Sequence, residues 1–173
     1  ITKESWNLME KTNLLRLRTE YHPAVRDIKA AGLSFTSYDY LYEHEKSFDK
    51  VYDKICQDIL SCAEKGEDVV YAVPGSPSVA EKTVVLIRDA VKEKNISLKI
   101  YPGMSFLELL YTRLNLDPIN GMLVTDALDL EKQLINTSIG IVITQLYDLH
   151  TASEVKLTLM DNFPDDYKIT LLY

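Results

Sequence analysis

The stretch Val69-Val70-Tyr71-Ala72-Val73-Pro74-Gly75-Ser76-Pro77-Ser78-Val79-Ala80-Glu81 decides how the rest of the chain is read. A run rich in β-branched residues stops at a Pro-Gly-x-Pro turn, and a helical pattern starts at once. Such a loop lies at the carboxyl end of a buried strand, the edge where open α/β sheets hold their ligands. The arrangement returns at Ile96-Ser97-Leu98-Lys99-Ile100-Tyr101-Pro102-Gly103-Met104-Ser105-Phe106. Two strand–Pro-Gly–helix junctions in series point to one small-molecule site built from loops.

Outward from these junctions the order alternates. A helix is expected near 3–11 and a strand over Asn13–Arg18. A helix follows Pro23, which suits a first helical position, and Gly32 ends it. Leu33–Tyr38 reads as a short strand, Ser47–Lys65 as a long amphipathic helix stopped by Gly66, and Asp68–Val73 as a buried strand. Ser78–Lys94 reads as helix, Ile96–Tyr101 as strand and Ser105–Leu114 as helix. This alternation implies a parallel sheet with helices on its faces. After Asp117-Pro118-Ile119-Asn120-Gly121 the texture changes. Met122–Thr125 and Ile139–Tyr147 read as strands, Asp129–Leu134 as one or two helical turns, His150–Phe163 as helix and Tyr167–Tyr173 as an alternating strand. The fold class is therefore α/β, with an N-terminal parallel lobe over 1–117 and a C-terminal mixed lobe over 118–173. A parallel α/β domain usually begins with its central strand, whereas this chain opens on a helix and stops inside a strand. The sequence is expected to be a fragment lacking its first and last strands.

Composition narrows the function. The 173 residues are 46% apolar and 26% charged, enough to bury a core and too charged for a membrane protein. No apolar run approaches the roughly 20 residues of a spanning helix, and Ile1-Thr2-Lys3-Glu4-Ser5 carries no signal-peptide pattern. A cytoplasmic location is the expectation. A formal charge of −7 speaks against general nucleic-acid binding and against adsorption to anionic lipid. Cys56 and Cys62 lie six apart in a helical segment and read as thiols rather than a disulfide.

Several residues can carry chemistry. Gly75 lets backbone approach a ligand closely. The amides of Ser78 and Val79 are expected to begin a helix and to donate to a carboxylate or ribose oxygen, with Ser76 and Ser78 adding hydroxyls. Taken singly, the loop reads first as a plain turn with Ser78 as helix cap. Ser105 can cap the next helix, and Phe106 can pack beneath it or offer a face to a flat heterocycle. Arg18 can pair with a carboxylate through its planar fork, and His22 can exchange a proton, though the pair reads first as a surface cation and a capping histidine. Tyr38-Asp39-Tyr40-Leu41-Tyr42 reads as a partly buried loop or interface patch. Asp148 can accept from a ligand or cap the helix that follows it. His22, His44 and His150 share no ligand spacing, so a metal site has no support. Gly-x-Ser-x-Gly, Gly-x-Gly-x-x-Gly and Walker patterns are absent.

These junctions resemble the tetrapyrrole (corrin/porphyrin) methylase family. The run Tyr71–Val84 is similar to its Gly-Asp-Pro loop region, closest to the branch fused to MazG-type nucleotide pyrophosphohydrolases. Leu17-Arg18-Thr19-x-x-His22-Pro23, Pro102-Gly103-Met104-Ser105-Phe106, Asp117-Pro118-Ile119-x-Gly121 and the segment from Tyr147-Asp148 to Leu159 resemble that branch too. The resemblance implies two α/β lobes with S-adenosylmethionine in the cleft between them. It implies cofactor contacts at Gly75, Ser76, Pro77, Val79, Ser105, Phe106, Tyr147 and Asp148. Arg18 and His22 become candidates for a small-molecule methyl acceptor, and a homodimer is the common assembly. Three departures stand out. The family's opening strand with its Gly-x-Gly-Pro-Gly-Asp loop is expected upstream of Ile1, Ser76 stands where the Gly-Asp-Pro aspartate belongs, and closing strands are expected after Tyr173. The implied activity is methyl transfer. The alternative is a non-catalytic regulatory or dimerisation module attached to a MazG-type hydrolase. Glu64-x-x-Glu67 straddles Gly66 and cannot present one helical metal-binding face, so any such hydrolase activity is expected outside this chain.

Overall fold

A computed structural model of the chain describes residues 1–172 and divides into two units, Ile1–Leu109 and Leu110–Tyr173. The first unit is built on a parallel sheet of order β2-β1-β3, with β1 at Leu15–Leu17, β2 at Thr36–Ser37 and β3 at Val70–Ala72. The register sets Leu15 opposite Val70, Arg16 opposite Tyr71 and Leu17 opposite Ala72. Side chains alternate across a strand, so this register sorts the sheet into two faces. Leu15, Leu17, Val70 and Ala72 pack with Met9 of α1 (Lys3–Lys11) and with Val25 and Ile28 of α2 (Val25–Ala30). Tyr71 faces the other way. It joins Tyr38, Leu41 of α3 (Asp39–His44), Val51, Ile55 and Ile59 of α4 (Phe48–Glu64), and Ile87 of α5 (Lys82–Val91). Helices on both faces of a parallel sheet are the α/β arrangement that the alternation implies.

Local chemistry sets the ends of these elements. The Thr2 hydroxyl accepts from the Ser5 amide and caps α1. Val51, Ile55, Cys56, Ile59 and Cys62 make one buried stripe along α4. Both thiols are free, and burial raises their pKa values. Arg16, between Leu15 and Leu17, turns to the α4 face and donates to Asp58 at 3.2 Å, while the Tyr38 hydroxyl reaches the same carboxylate at 2.6 Å.

Three expectations for this unit are corrected. The aromatic stretch at 38–42 is not a loop. Asp39 starts α3, pinned by the Thr19 hydroxyl at 2.6 Å and the Glu20 amide at 2.7 Å, and Leu41 is buried beneath it. The helix expected from Ser78 begins only at Lys82, because Ala80 has φ +53° and Glu81 turns inward at φ −115°, ψ 88°. Ile96–Tyr101 forms no strand: among the described residues no strand pairs with it.

The second unit has its own parallel pair, β4 (Met122–Asp126) and β5 (Gly140–Thr144). Its core joins Ala127 and Leu130 of a 3-10 segment (Ala127–Lys132) to Val155 of α7 (Leu149–Met160). The remaining helix, α6, runs Phe106–Leu114 across the division. Residues 167–172 form no strand. The Tyr167 amide turns back onto the Pro164 carbonyl at 2.9 Å, and its ring meets Phe163. Tyr173, the last residue of that expected strand, lies outside the described residues. Among the described residues no helix is long and apolar enough to cross a membrane.

Candidate functional site

Parallel strands deliver their carboxyl ends to one edge, and in the first unit two chemically distinct clusters gather there. The first grows from sheet alternation. Arg18 lies two residues beyond Arg16 and so emerges on the same face, held by its amide to the Ala72 carbonyl at 2.9 Å. Its Nη1 meets Glu81 Oε2 at 2.7 Å, and its Nε donates to the Tyr42 hydroxyl at 3.1 Å. The Thr83 hydroxyl donates to Glu81 Oε1 at 2.5 Å and lies 3.0 Å from the Tyr71 hydroxyl. The Glu81 side chain is 2% exposed and that of Arg18 26%. Taking a carboxylate out of water costs several kcal/mol, and this one is tolerated because each oxygen has a donor. Burial opposes the charge on Arg18, but the Tyr42 bond and the Glu81 charge outweigh it and raise its pKa. Burial likewise pushes the Tyr71 phenol up.

Glu81 is the residue that sequence reasoning missed. Its one signal is indirect. A glutamate just before a helical run, aligned by β3 with the cationic end of β1, has an arginine within reach.

The second cluster is formed by the two Pro-Gly loops. A Cβ built on Gly103 would lie 2.1 Å from the Gly75 carbonyl oxygen, so the backbones touch at that point and only glycine fits at 103. Gly75 itself has φ +73°, and a Cβ there would lie 3.6 Å from the Met104 carbonyl oxygen. The amides expected to be open donors are not open. Ser78 N–H donates to Ser76 Oγ at 3.3 Å and Val79 N–H to the Ser76 carbonyl at 3.2 Å, which closes a tight turn. Within the described residues of the two loops, the amides of Gly75, Ser76, Gly103, Met104, Ser105 and Phe106 have no protein partner, and the first four lie beside the contact. Ser105 Oγ accepts from Leu107 N–H at 3.1 Å and starts α6, and Phe106 is 43% exposed. Both loops, Gly75, Ser76, Pro77 and Val79 among them, open onto one hollow of about 1390 Å³.

The other candidates are placed as follows. His22 is exposed, lines the same hollow and accepts from the Ala24 amide through Nδ1 at 3.2 Å, which is a capping role. Asp148, in the second unit, caps α7 by accepting from Thr151 N–H at 2.8 Å, and that bond holds its carboxyl below the usual range. The Tyr147 hydroxyl donates to Gln145 at 2.7 Å. Among the described residues no group of three or more His, Cys, Asp or Glu side chains is arranged to hold a metal ion.

The sequence pattern of the tetrapyrrole (corrin/porphyrin) methylases matches residues 1–173. The chain belongs to this family. Among curated proteins it is similar to the uncharacterized protein YabN of Bacillus subtilis (strain 168), 41% identical over 165 residues. That match takes in 95% of this chain but 34% of the relative, so this tetrapyrrole methylase chain spans about a third of the curated protein it matches. Among solved structures it is similar to uroporphyrin-III-C-methyltransferase from Thermus thermophilus, with a TM-score of 0.66 and 17% identity over 95% of this chain and 68% of that one. The α/β fold is thus that of a methyltransferase-like domain.

Proposed function

We propose that this chain is the core of an S-adenosylmethionine-dependent methyltransferase domain acting on a small-molecule acceptor. The observation that carries the reading is the meeting of the two loops at Gly75 and Gly103, with four unpaired amides beside the contact. The residues fit an adenosyl cofactor. Clustered backbone N–H groups suit carboxylate and ribose oxygens, and the half-exposed Phe106 ring suits a flat heterocycle. When bound, the cofactor supplies a methyl group already activated on a sulfonium. The chain then has to bind, orient and exclude water, which calls for no acid–base pair. Gly75, Ser76, Pro77, Val79, Ser105 and Phe106 are assigned to the cofactor, and family likeness adds Tyr147 and Asp148. Arg18, through the N–H groups that Glu81 and Tyr42 leave over, and His22 are assigned to the acceptor. A homodimer, the common assembly that the sequence resemblance implies, and a cytoplasmic location, the expectation from the sequence pattern, are part of this proposal. Isothermal titration of the full-length protein with S-adenosylhomocysteine tests the reading: saturable heat is expected, and none at millimolar ligand overturns it.

A second reading is a non-catalytic module that regulates an attached MazG-type nucleoside triphosphate pyrophosphohydrolase. One observation favours it. Ser76 brings no carboxylate to the rim, and its hydroxyl is engaged by Ser78. Deleting the domain should then change the kinetics or the oligomeric state of the hydrolase; no change in either retires the idea.

A further inference from the structure

Arg18 holds the loop that carries Gly75 at both of its ends. Its amide donates at 2.9 Å to the carbonyl of Ala72, the last residue of β3. Its guanidinium meets the carboxylate of Glu81, the last residue before α5, at 2.7 Å. Residues 73–80 thus leave and re-enter the fold at one arginine. The pair also keeps Glu81 where a helix would not put it. Helical residues advance by about 100° each, and Glu81 stands two before the fully buried Thr83. In a continuous helix Glu81 would lie about 200° from Thr83, on the solvent side, and Val79 only about 40° from it, on the buried stripe. Glu81 is instead buried. An inward Glu81 and a helix running from Ser78 therefore exclude one another. The short form of α5 carries visible costs. Ala80 sits at φ +53°, and the amides of Lys82, Thr83 and Val84 have no protein partner.

We propose that Arg18 and Glu81 are positioning residues: their ion pair selects the short form of α5 and so holds the Gly75 loop against Gly103. The link between helix and rim is chain length. Four helical residues span about 6 Å, against up to about 13 Å when extended. Winding 78–81 into α5 would shorten the loop's reach by as much as about 7 Å, and the Gly75 carbonyl could not stay where its oxygen is 2.1 Å from a Cβ built on Gly103. Thr83 and Tyr71 complete the latch. The Thr83 hydroxyl donates to the second oxygen of Glu81 and lies against the Tyr71 hydroxyl, so the carboxylate is satisfied only in the inward position. Without Arg18 that carboxylate is an uncompensated buried charge, and turning out to solvent, with α5 extended, is the escape that the sequence from Ser78 allows. What the rim holds rests on the methyltransferase reading; the latch itself does not.

Hydrogen exchange read by mass spectrometry on the full-length protein, with no ligand added, tests the latch. In Arg18→Met, Glu81 loses its cation and α5 lengthens. The amides of Lys82, Thr83 and Val84 then gain the Ser78, Val79 and Ala80 carbonyls and should exchange about tenfold more slowly than in the parent. General destabilisation speeds exchange, so slowing separates repositioning from simple loss of structure. Glu81→Lys is the second variant. It sets a good helix former where Arg18 repels it, and the same slowing is expected. Arg18→Lys keeps a cation for Glu81 and should restore the parent pattern. Exchange of Lys82–Val84 at the parent rate or faster in both Arg18→Met and Glu81→Lys overturns the proposal. Isothermal titration with S-adenosylhomocysteine reads the rim. Affinity should fall about tenfold in both variants, and slowed exchange with parent affinity overturns the positioning role. If the parent itself binds no S-adenosylhomocysteine, the methyltransferase reading fails and the exchange result alone decides the latch.

Discussion

Replacing Gly103 with alanine would put a methyl group where the backbone of the other loop already lies. Its ideal position is 2.1 Å from the Gly75 carbonyl oxygen, and real Cβ contacts essentially never fall below 3.0 Å, so one loop must retreat by about 0.9 Å. The obstacle is backbone on both sides, so no side-chain rotamer can absorb it. Overpacking of this type costs about 1–3 kcal/mol. At about 2 kcal/mol the melting temperature should fall by about 4–8 °C. The same retreat separates the unpaired amides of Gly75 and Ser76 from those of Gly103 and Met104. Losing one or two hydrogen bonds to a shared ligand, at about 1 kcal/mol each, weakens S-adenosylhomocysteine binding by about tenfold. Gly75→Ala is the matched comparison. Its Cβ makes an ordinary contact at 3.6 Å, so the cost is the φ of +73°, about 1 kcal/mol, and the loop spacing is kept. Differential scanning calorimetry and isothermal titration of the two variants give both quantities. If Gly103→Ala matches the parent in melting temperature and affinity, the two loops do not touch and the site argument fails.

Other outcomes follow from the same geometry. Arg18→Ala strands a carboxylate that is 2% exposed, and urea unfolding should register a loss of about 3–5 kcal/mol, larger than any surface arginine gives. Ala80→Gly relieves a residue at φ +53° and should raise the urea midpoint by the equivalent of about 1 kcal/mol; a fall would show that Ala80 makes contacts worth more than its strain. For Asp39, burial works against the charge, but bonds from the Thr19 hydroxyl and the Glu20 amide prevail and hold its pKa below the ordinary value. A depressed folded-state pKa contributes stability that is complete above the unfolded value near 4 and is lost as pH falls through the folded one. Asp39→Asn should therefore flatten the stability profile below about pH 4, and an unchanged acid limb refutes the assignment.

Much of the first unit can be read from local pattern because local physics fixes it. Leu15-Arg16-Leu17-Arg18 alternates, so the apolar pair faces one core and the two arginines the other. The stripe on α4 and the Ser105 cap of α6 follow from spacing and from an unsatisfied first turn. The start of α5 could not be read that way. Ser78 has the look of a helix cap, yet Glu81 is drawn into the interior by Arg18, 63 residues away in sequence, and helical geometry cannot resume until that turn is complete. The sequence pattern shows a cap candidate and hides the long-range charge that overrides it. Ile96–Tyr101 fails for the complementary reason. Its alternation has the character of a strand, but a strand is a property of two backbones, and pairing is invisible in one segment alone.

The same distinction explains why the meeting of the two loops was legible and their open amides were not. A Pro-Gly turn after a strand fixes where the chain must bend: the turn after β3 meets the turn that follows Ile96–Tyr101 at Gly75 and Gly103, although the second segment pairs with no strand. Which amides remain open depends on how each loop closes. Proline at 77 fixes a backbone angle and offers no N–H, so the Pro74–Val79 loop tightens on Ser76, whose hydroxyl and carbonyl take up the next two available amides. The open donors shift back to Gly75 and Ser76, beside the point where Gly103 closes on the Gly75 carbonyl. A carboxylate at position 76, the aspartate that the sequence resemblance implies there, would place negative charge among those amides and could accept from them itself. Serine instead keeps its hydroxyl on Ser78 and leaves the amides to a ligand. Ser76→Asp is therefore expected to weaken binding of an anionic ligand group at this rim and Ser76→Ala to leave it nearly unchanged. Titration of both variants with S-adenosylhomocysteine decides the matter, and tighter binding by Ser76→Asp would mean that position 76 meets a ligand hydroxyl or amine rather than a carboxylate.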